Sequence, residues 1–191
     1  MPQRNRPPNS TRAIAAALTC LVLGACGGGG NDPPPPGSAP PPPAGTDITC
    51  GLANFEADAL RLINQRRAAG ATCGSRGSFA PAAALSAQAQ LTNAAYGHSR
   101  DMADNNYFSH TSLDGRTLGM RVSAAGYSWS SVGENIAAGY GTVQQTMDAW
   151  MASEGHCANL MAPGFTQFGM ACARNSASTY GTYWTLDLAR P

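Results

Sequence analysis

The chain has 191 residues, which suits one ordinary domain and argues against two independent hydrophobic cores. Its 12 basic residues are all arginines and stand against 11 acidic residues, so the formal net charge is +1. The arginines are scattered rather than clustered. This distribution argues against binding to nucleic acid, and against electrostatic binding to anionic lipid.

Residues 1–25 are predicted to be an export signal. They begin with a basic leader of three arginines, Arg4, Arg6 and Arg12. An apolar run over residues 13–23 follows, which is too short to span a bilayer. Residues 23–26 resemble the lipobox of bacterial lipoproteins, in which signal removal leaves the cysteine as a lipid-modified N-terminus. Cleavage of an ordinary signal peptide at Ala25 is the alternative. Without the leader, nine arginines face eleven acidic residues, a net charge near −2.

Residues 26–48 are predicted to be a tether. Residues 27–30 are all glycines, and residues 33–36 and 40–43 are all prolines. Such a segment cannot bury apolar surface, so it suits a domain that is held away from a membrane. We expect Cys26 to carry the lipid anchor and to be the only link to the membrane. The folded domain, over residues 49–191, is then a monomer in the periplasm or at the cell surface.

Helices are predicted to come first in this domain. Apolar residues recur at spacings of three and four over residues 52–69, and a second helix is predicted over residues 85–105. His98 lies on the apolar stripe of this second helix. A histidine there is more often a hydrogen-bonded packing residue than a ligand, so we leave it out of the site. A short third helix is predicted over residues 117–125.

Strands are predicted mainly in the second half of the domain. Residues 132–137 form the first strand, and a helix capped by Thr142 and ended at Gly155 follows it. Residues 165–173 and 180–188 alternate in the manner of strands. Helices first and strands late, separated by glycine-rich turns, predict an α+β domain with an antiparallel sheet.

Four cysteines belong to the domain: Cys50, Cys73, Cys157 and Cys172. An even number in an exported domain indicates disulfides. Of the three possible connectivities we predict the local pairs, Cys50–Cys73 and Cys157–Cys172, because each pair brackets a single local segment. A zinc site held by the four thiolates is the alternative, although no Cys-x-x-Cys spacing supports it.

Three short sequence words between residues 107 and 161 carry most of the functional signal. They are Phe108-Ser109-His110, Gly133-Glu134-Asn135 and Gly155-His156-Cys157-Ala158-Asn159. Together they contain two of the three histidines, and each lies near a turn or the end of an element. Side chains at such positions tend to converge on a cleft rather than fill a core.

Two imidazoles and a carboxylate from separate segments can hold a divalent metal, and zinc is favoured by a nitrogen-rich set. Catalytic zinc usually has three protein ligands and a separate general base, so Glu134 is either the missing ligand or the base. Without metal, Glu134 and a histidine can act as an acid/base pair on water. A purely structural role is also open, with Glu134 accepting backbone amides and His110 closing a helix C-terminus.

The three words, their order and their flanks resemble the CAP superfamily, which comprises cysteine-rich secretory proteins, antigen 5 and pathogenesis-related-one proteins. The likeness covers residues 52–188 and is closest to the bacterial extracellular branch. It includes His98-Ser99-Arg100-Asp101-Met102 and Gly181-Thr182-Tyr183-Trp184. The resemblance implies an α-β-α sandwich with a central antiparallel sheet, and a cleft lined by two histidines and two acidic residues.

His110, Glu134 and His156 fill three of those four family positions. The fourth, an acidic residue three positions after the helix tryptophan in several members, is Ser153 here. The neighbouring Glu154 is the candidate to replace it. A further departure is the segment Gly169-Met170-Ala171, which stands where the family commonly has a Gly-x-Gly pair, and we expect it to affect packing more than chemistry.

From these observations we predict an envelope-anchored domain that binds a ligand or partner, such as a lipid or a peptide, in a cleft lined by His110, Glu134 and His156. A divalent metal on His110 and His156 is compatible with that function. The second hypothesis is a hydrolase of peptide or ester bonds that uses metal-bound or Glu134-activated water. The third is a structural or adhesion module of the cell envelope.

Overall fold

A computed structural model describes residues 46–191, so the predicted export signal, nearly all of the tether and the Cys26 anchor lie outside the described residues. The helices within this range are α1 (Phe55–Ala69), α2 (Ala89–Asn105), α3 (Leu118–Ala124), α4 (Val143–Ala152) and α5 (Glu154–Met161). The strands are β1 (Ala71–Thr72), β2 (Ser78–Phe79), β3 (Ser86–Ala87), β4 (Ser131–Ala138), β5 (Gln167–Arg174) and β6 (Thr182–Arg190). In this part of the chain no helix is both long and apolar enough to cross a membrane.

A four-stranded sheet in the order β3-β5-β6-β4 forms the middle layer. The β5–β6 and β6–β4 pairs are antiparallel, while the two-residue strand β3 runs parallel to β5 at one edge. Helix α2 packs along β5 and β6, and α1 and α4 cover the opposite face. The predicted α+β class and α-β-α sandwich are confirmed. The short strand β3 and an isolated parallel bridge between Thr49 and Cys172 are departures from a purely antiparallel sheet.

Alternation along β6 explains why both faces of the sheet are buried. Trp184 and its alternate neighbours pack against α1 and α4, where Phe55 stacks on Trp184 with ring centroids 5.8 Å apart. Tyr183 lies on the other face with Met102 of α2. Each face therefore has its own apolar cluster, although the face with Tyr183 also carries two buried polar residues, Thr185 and Asp187.

Gly169 lets α2 lie directly against β5. A Cβ atom at this position would come within 2.0 Å of the Thr92 backbone nitrogen, so only glycine fits there. The close approach brings polar residues of α2 over the sheet, and the Ser99 hydroxyl donates to Thr185 Oγ1 at 2.8 Å. This contact fixes the part of α2 that carries His98.

Two helices begin later than the sequence predicts. The helix expected from residue 52 begins at Phe55, because Asn54 has a left-handed backbone with φ of 57°. The helix expected from residue 85 begins at Ala89, because Ser86 and its neighbour join the sheet instead, with the Ser86 amide donating to Thr166 O at 3.1 Å. Hydrogen bonds to a distant strand override the local helical pattern at both residues of β3.

The helix predicted to run to Gly155 is two helices. Its N-terminus is capped as expected, with Thr142 Oγ1 accepting from the Gln145 amide at 3.1 Å. It ends at Ala152, the backbone is extended at Ser153 with φ −98° and ψ 122°, and α5 then begins. His156 is therefore carried by a separate short helix.

The predicted local disulfides are wrong. The structure joins Cys50 to Cys172, and Cys73 to Cys157. A 15-residue helix lies between Cys50 and Cys73. At 1.5 Å per residue it holds its ends about 22 Å apart, beyond the reach of a disulfide. Instead, the segment before Cys50 pairs with β5, where the Cys172 amide donates to Ile48 O at 2.9 Å.

Peptide mapping without reduction tests this pairing. We expect digestion to leave Cys50 linked to Cys172 and Cys73 linked to Cys157. Because the first bridge closes 122 residues of chain, replacing both of its cysteines by alanine should lower the free energy of unfolding by about 2–4 kcal/mol in urea titrations. A peptide that links Cys50 to Cys73 would contradict the pairing.

Candidate functional site

Glu134 lies at the centre of the site. It comes from β4, and its side chain is only 3% exposed. Oε1 accepts a hydrogen bond from His110 Nδ1 at 2.7 Å, and Oε2 accepts one from Arg121 Nη2 at 2.6 Å. Hydrogen bonds of this kind to an ionised carboxylate are short and strong. The structure thus brings two of the predicted site residues, His110 and Glu134, into direct contact.

The surrounding donors keep Glu134 ionised. Burial opposes ionisation, but the hydrogen bond from His110 and the Arg121 charge together lower the pKa of Glu134 below its ordinary value. A carboxylate in this state can only accept hydrogen bonds. The proton in the contact with His110 therefore belongs to Nδ1 of the imidazole.

That proton position decides what His110 offers to a ligand. With Nδ1 bonded to Glu134, Nε2 is the other ring nitrogen and the one that faces a ligand. The His110 side chain is 56% exposed, so the ring is accessible beside the buried carboxylate. It lines a cavity of about 310 Å³ together with Glu134, Thr111 and Leu118. The site thus presents Nε2 of His110 to a ligand.

His156 reaches the same region from α5. Asn135 Nδ2 donates to His156 O at 3.0 Å, and Asn159 Nδ2 donates to Glu134 O at 3.1 Å. These amide contacts fasten α5 to β4, and they occupy a carbonyl on the outer edge of that strand. Burial lowers the pKa of His156, and the nearby His110 lowers it further, so His156 is neutral at neutral pH. The structure therefore places all three predicted residues around the β4 edge.

A cavity of about 320 Å³ lies beside His156. Three partly exposed aromatic rings line it: Phe108 (44% exposed), Tyr140 (36%) and Tyr180 (50%). Phe108 and Tyr180 meet edge to face, with ring centroids 5.9 Å apart. The remaining lining includes Trp150 and Ser153. Ser153 is the residue with extended backbone that separates α4 from α5. The result is an apolar cleft with an imidazole in its wall.

Glu154, the candidate to complete a second acidic position, points elsewhere. Its carboxylate accepts a hydrogen bond from the Ser75 hydroxyl, in the turn that precedes β2. That hydrogen bond lowers the pKa of Glu154, which is exposed to solvent. Its neighbour Ser153 lines the cavity instead. We therefore remove Glu154 from the candidate site.

Arg121 is a site residue that the sequence analysis missed. Its side chain is 4% exposed and makes four hydrogen bonds within the described residues. Besides Glu134, the guanidinium contacts His110 O at 3.0 Å and Arg116 O at 3.1 Å. The signal available in the sequence was an arginine inside an amphipathic helix pattern, next to Val122. Without the fold, such a residue resembles an ordinary surface cation.

His98 lies behind the same carboxylate. It is fully buried, Nε2 lies 2.9 Å from Ser109 O, and it lies 4.0 Å from Glu134 Oε2. Since a carbonyl only accepts, Nε2 carries the proton in this hydrogen bond. Burial lowers the pKa of His98, which is therefore neutral. Its interpretation as a hydrogen-bonded packing residue agrees with these contacts, and the bond supports the residue that precedes His110.

Asp187 is the second residue that the sequence analysis missed. It faces Glu134 across the β4–β6 pair and is fully buried. Neither of its carboxyl oxygens has a hydrogen-bond partner among the described residues. Burial raises the pKa of Asp187 well above its ordinary value, and the negative charge of Glu134 raises it further. We therefore assign Asp187 as a neutral acid beside an ionised one.

The donor set does not fit a zinc centre of the usual kind. Both oxygens of Glu134 and Nδ1 of His110 already have protein partners, and Glu154 faces Ser75. In residues 46–191 no three His, Cys, Asp or Glu side chains are grouped so that they could hold a metal ion. Catalytic zinc normally has three protein ligands. Metal binding by His110 and His156 stays a prediction, and we derive no chemistry from it.

Comparison with known proteins agrees with the fold. The family model described as "CAP: Cysteine-rich secretory protein family" matches residues 60–188. "Uncharacterized protein YkwD" of Bacillus subtilis (strain 168) is 37% identical over 95 residues, which are 50% of this chain and 35% of that protein. The chain thus spans about a third of the length of this relative.

Two solved structures are also similar. An extracellular protein containing an SCP domain from Bacillus anthracis str. Ames is 35% identical with a TM-score of 0.51, covering 58% of this chain and 35% of that chain. An outer surface protein from Borrelia burgdorferi is 18% identical with a TM-score of 0.52, covering 57% of this chain and 79% of that chain. The second similarity concerns the fold alone.

Because Asp187 is neutral in the folded protein, its contribution to the free energy of unfolding should depend on pH. The unfolded chain loses this proton near the ordinary pKa of 3.8, whereas the folded protein keeps it to higher pH. The contribution of the Asp187 proton to the free energy of unfolding is therefore fully present at low pH, and it falls as the pH rises. Asp187→Asn binds no proton in either state. Relative to wild type, its free energy of unfolding should rise by about 1.4 kcal/mol per pH unit wherever only the folded protein holds the proton.

Urea unfolding at pH 5, 6 and 7, followed by tryptophan fluorescence, measures this difference. Thr185→Val is a suitable control, because Thr185 is buried on the same strand and does not titrate. Its effect on stability should not change with pH. If the difference between Asp187→Asn and wild type were also independent of pH, Asp187 would not be neutral in the folded protein.

Proposed function

Because this chain belongs to the cysteine-rich secretory protein (CAP) family, we propose that it is an extracytoplasmic binding protein whose cleft takes a peptide-like ligand. Its place outside the cytoplasm is supported by the two disulfides, which persist in oxidising compartments. The similar protein of Bacillus anthracis, which is described as extracellular, agrees with it. In this proposal Cys26 anchors the protein to a membrane.

The observation that carries the proposal is the cleft beside His156. Its volume of about 320 Å³ falls in the range of small-molecule sites, which are mostly apolar and contain a few placed polar groups. Phe108, Tyr140 and Tyr180 supply exposed aromatic surface that a single side chain of a ligand can cover. His110 Nε2 supplies a polar partner for a backbone amide. A peptide offers both an apolar side chain and an amide N–H.

Binding rather than hydrolysis is the function that the contacts of Glu134 favour. A general base must have a lone pair directed at the water or the proton that it accepts. Both oxygens of Glu134 already accept from His110 and Arg121, and the side chain is buried. Glu134 therefore serves to hold His110. The cleft in this proposal acts without a resident metal.

Filling the cavity tests the proposal. N-acetyl-phenylalanine amide is a suitable peptide probe, and its binding can be measured in EDTA by saturation-transfer NMR and by shift titration. Ala149 lines the cavity, so Ala149→Trp should weaken probe binding by about tenfold or more, equivalent to about 1.4 kcal/mol. The reason is steric, since the indole occupies the space that the phenyl group requires.

Ala152→Trp is the matched control. Ala152 lies on the same helix, is exposed and does not line the cavity, so this variant should bind the probe as wild type does. Octanoate, tested in parallel, distinguishes an acyl-chain site from a peptide site. Saturation transfer to octanoate alone, or equal binding of the peptide probe by Ala149→Trp and wild type, would contradict the proposal.

A further inference from the structure

We propose that Arg121 is the positioning residue of this site, which fixes the loop and the ring orientation of His110 so that Nδ1 donates to Glu134. Arg121 does not line either cavity that borders the two cleft histidines, and it acts through the groups that it holds. The inference rests on the proposed function only in treating His110 as a binding residue. The effect of Arg121 on the imidazole exists without any ligand.

One guanidinium holds both ends of His110. Nη1 donates to the backbone carbonyl of His110 at 3.0 Å. Nη2 donates at 2.6 Å to Glu134, whose other oxygen accepts from the His110 ring at 2.7 Å. Arg121 therefore holds both the backbone and, through Glu134, the ring of His110. A planar guanidinium can make these divergent bonds, whereas a lysine ammonium is a single point of charge.

Arg121 also closes the loop that carries His110. Nη1 lies 3.1 Å from Arg116 O and 3.4 Å from Ser112 Oγ. The same loop contains a turn in which the Ser112 amide donates to Arg116 O and the Gly115 amide donates to Ser112 O. Since these bonds converge on a side chain that is 4% exposed, the loop is built around Arg121. His110 is held where this loop ends on the buried carboxylate.

The charge of Arg121 also stabilises the carboxylate that holds the His110 ring. Glu134 is a buried acid with another acid, Asp187, opposite it on β6. His98, the other ring near Glu134, is neutral, so Arg121 is the permanent cation in contact with this carboxylate among the described residues. Without that cation, Oε2 of Glu134 loses its partner and the buried carboxylate loses the charge that stabilises it. The acceptor that orients the His110 ring is then no longer held in place.

Nitrogen NMR of ¹⁵N-histidine-labelled protein, free of ligand at pH 7, tests the proposal. In wild type, His110 should show the nitrogen shift pattern of a ring whose Nδ1 proton is held by Glu134. Arg121→Met should lose this pattern, and Arg121→Lys, which keeps the charge, should regain it. Arg100→Met is the matched control, because Arg100 is exposed on α2 and, within residues 46–191, pairs with Asp104 away from the site, so it should keep the wild-type pattern.

A wild-type His110 pattern in folded Arg121→Met would overturn the proposal. If Arg121→Met does not fold, hydrogen exchange of Arg121→Lys decides the question. The Ser112 and Gly115 amides should then exchange at least about tenfold faster than in wild type, with the sheet amides unchanged. Wild-type exchange at both loop amides would overturn it. Neither readout requires a ligand, so failure of the peptide probe to bind would leave both results interpretable.

Discussion

The structure of this site depends on one constraint, the burial of an ionised carboxylate. Removing a charged group from water costs several kcal/mol unless cations and hydrogen-bond donors replace the lost solvent. Glu134 is 3% exposed, and Arg121 and His110 each donate to one of its oxygens. Removal of one partner of such a buried pair costs about 3–5 kcal/mol. The carboxylate therefore ties α3 and the loop before it to β4.

The same strand anchors the other half of the cleft. Side chains on successive residues of β4 point to opposite faces, so Glu134 engages the layer with α2 and α3 while Asn135 engages α5. Asn135 and Asn159 bond to backbone groups and to each other, which places His156 beside the edge of β4. The disulfide from Cys73 to Cys157 holds α5 from its other side. Two rings from opposite layers can thus meet at one strand edge.

An unusual feature of this arrangement is the second acid. Asp187 and Glu134 are cross-strand neighbours, whose Cβ atoms in such a pair lie about 4.5–5.5 Å apart. Two buried charges of the same sign at that distance are unfavourable, and Arg121 supplies only one positive charge. The system resolves this by keeping Asp187 protonated, since burial raises its pKa. Glu134 therefore carries the single negative charge of the two acids, and this is the charge that lies beside His110.

Local patterns predicted much of this protein, and contacts between distant segments account for the rest. Helical spacing identified α1 and α2, alternation identified β5 and β6, and the sequence words identified His110, Glu134 and His156. The disulfides were missed because segments that bracket a helix are close in sequence and far apart in space. Arg121 lies in a predicted helix and Asp187 in a predicted strand, but only the packed layers show that each is buried at the site.

The measurement that tests this account most directly is neutron diffraction from a deuterium-exchanged crystal of the protein at pH 7. We predict deuterium on His110 Nδ1, none on either oxygen of Glu134, and deuterium on one carboxyl oxygen of Asp187. That pattern would place the single negative charge of the acid pair on Glu134, between His110 and Arg121. Deuterium on Glu134, or an Asp187 without it, would contradict the account.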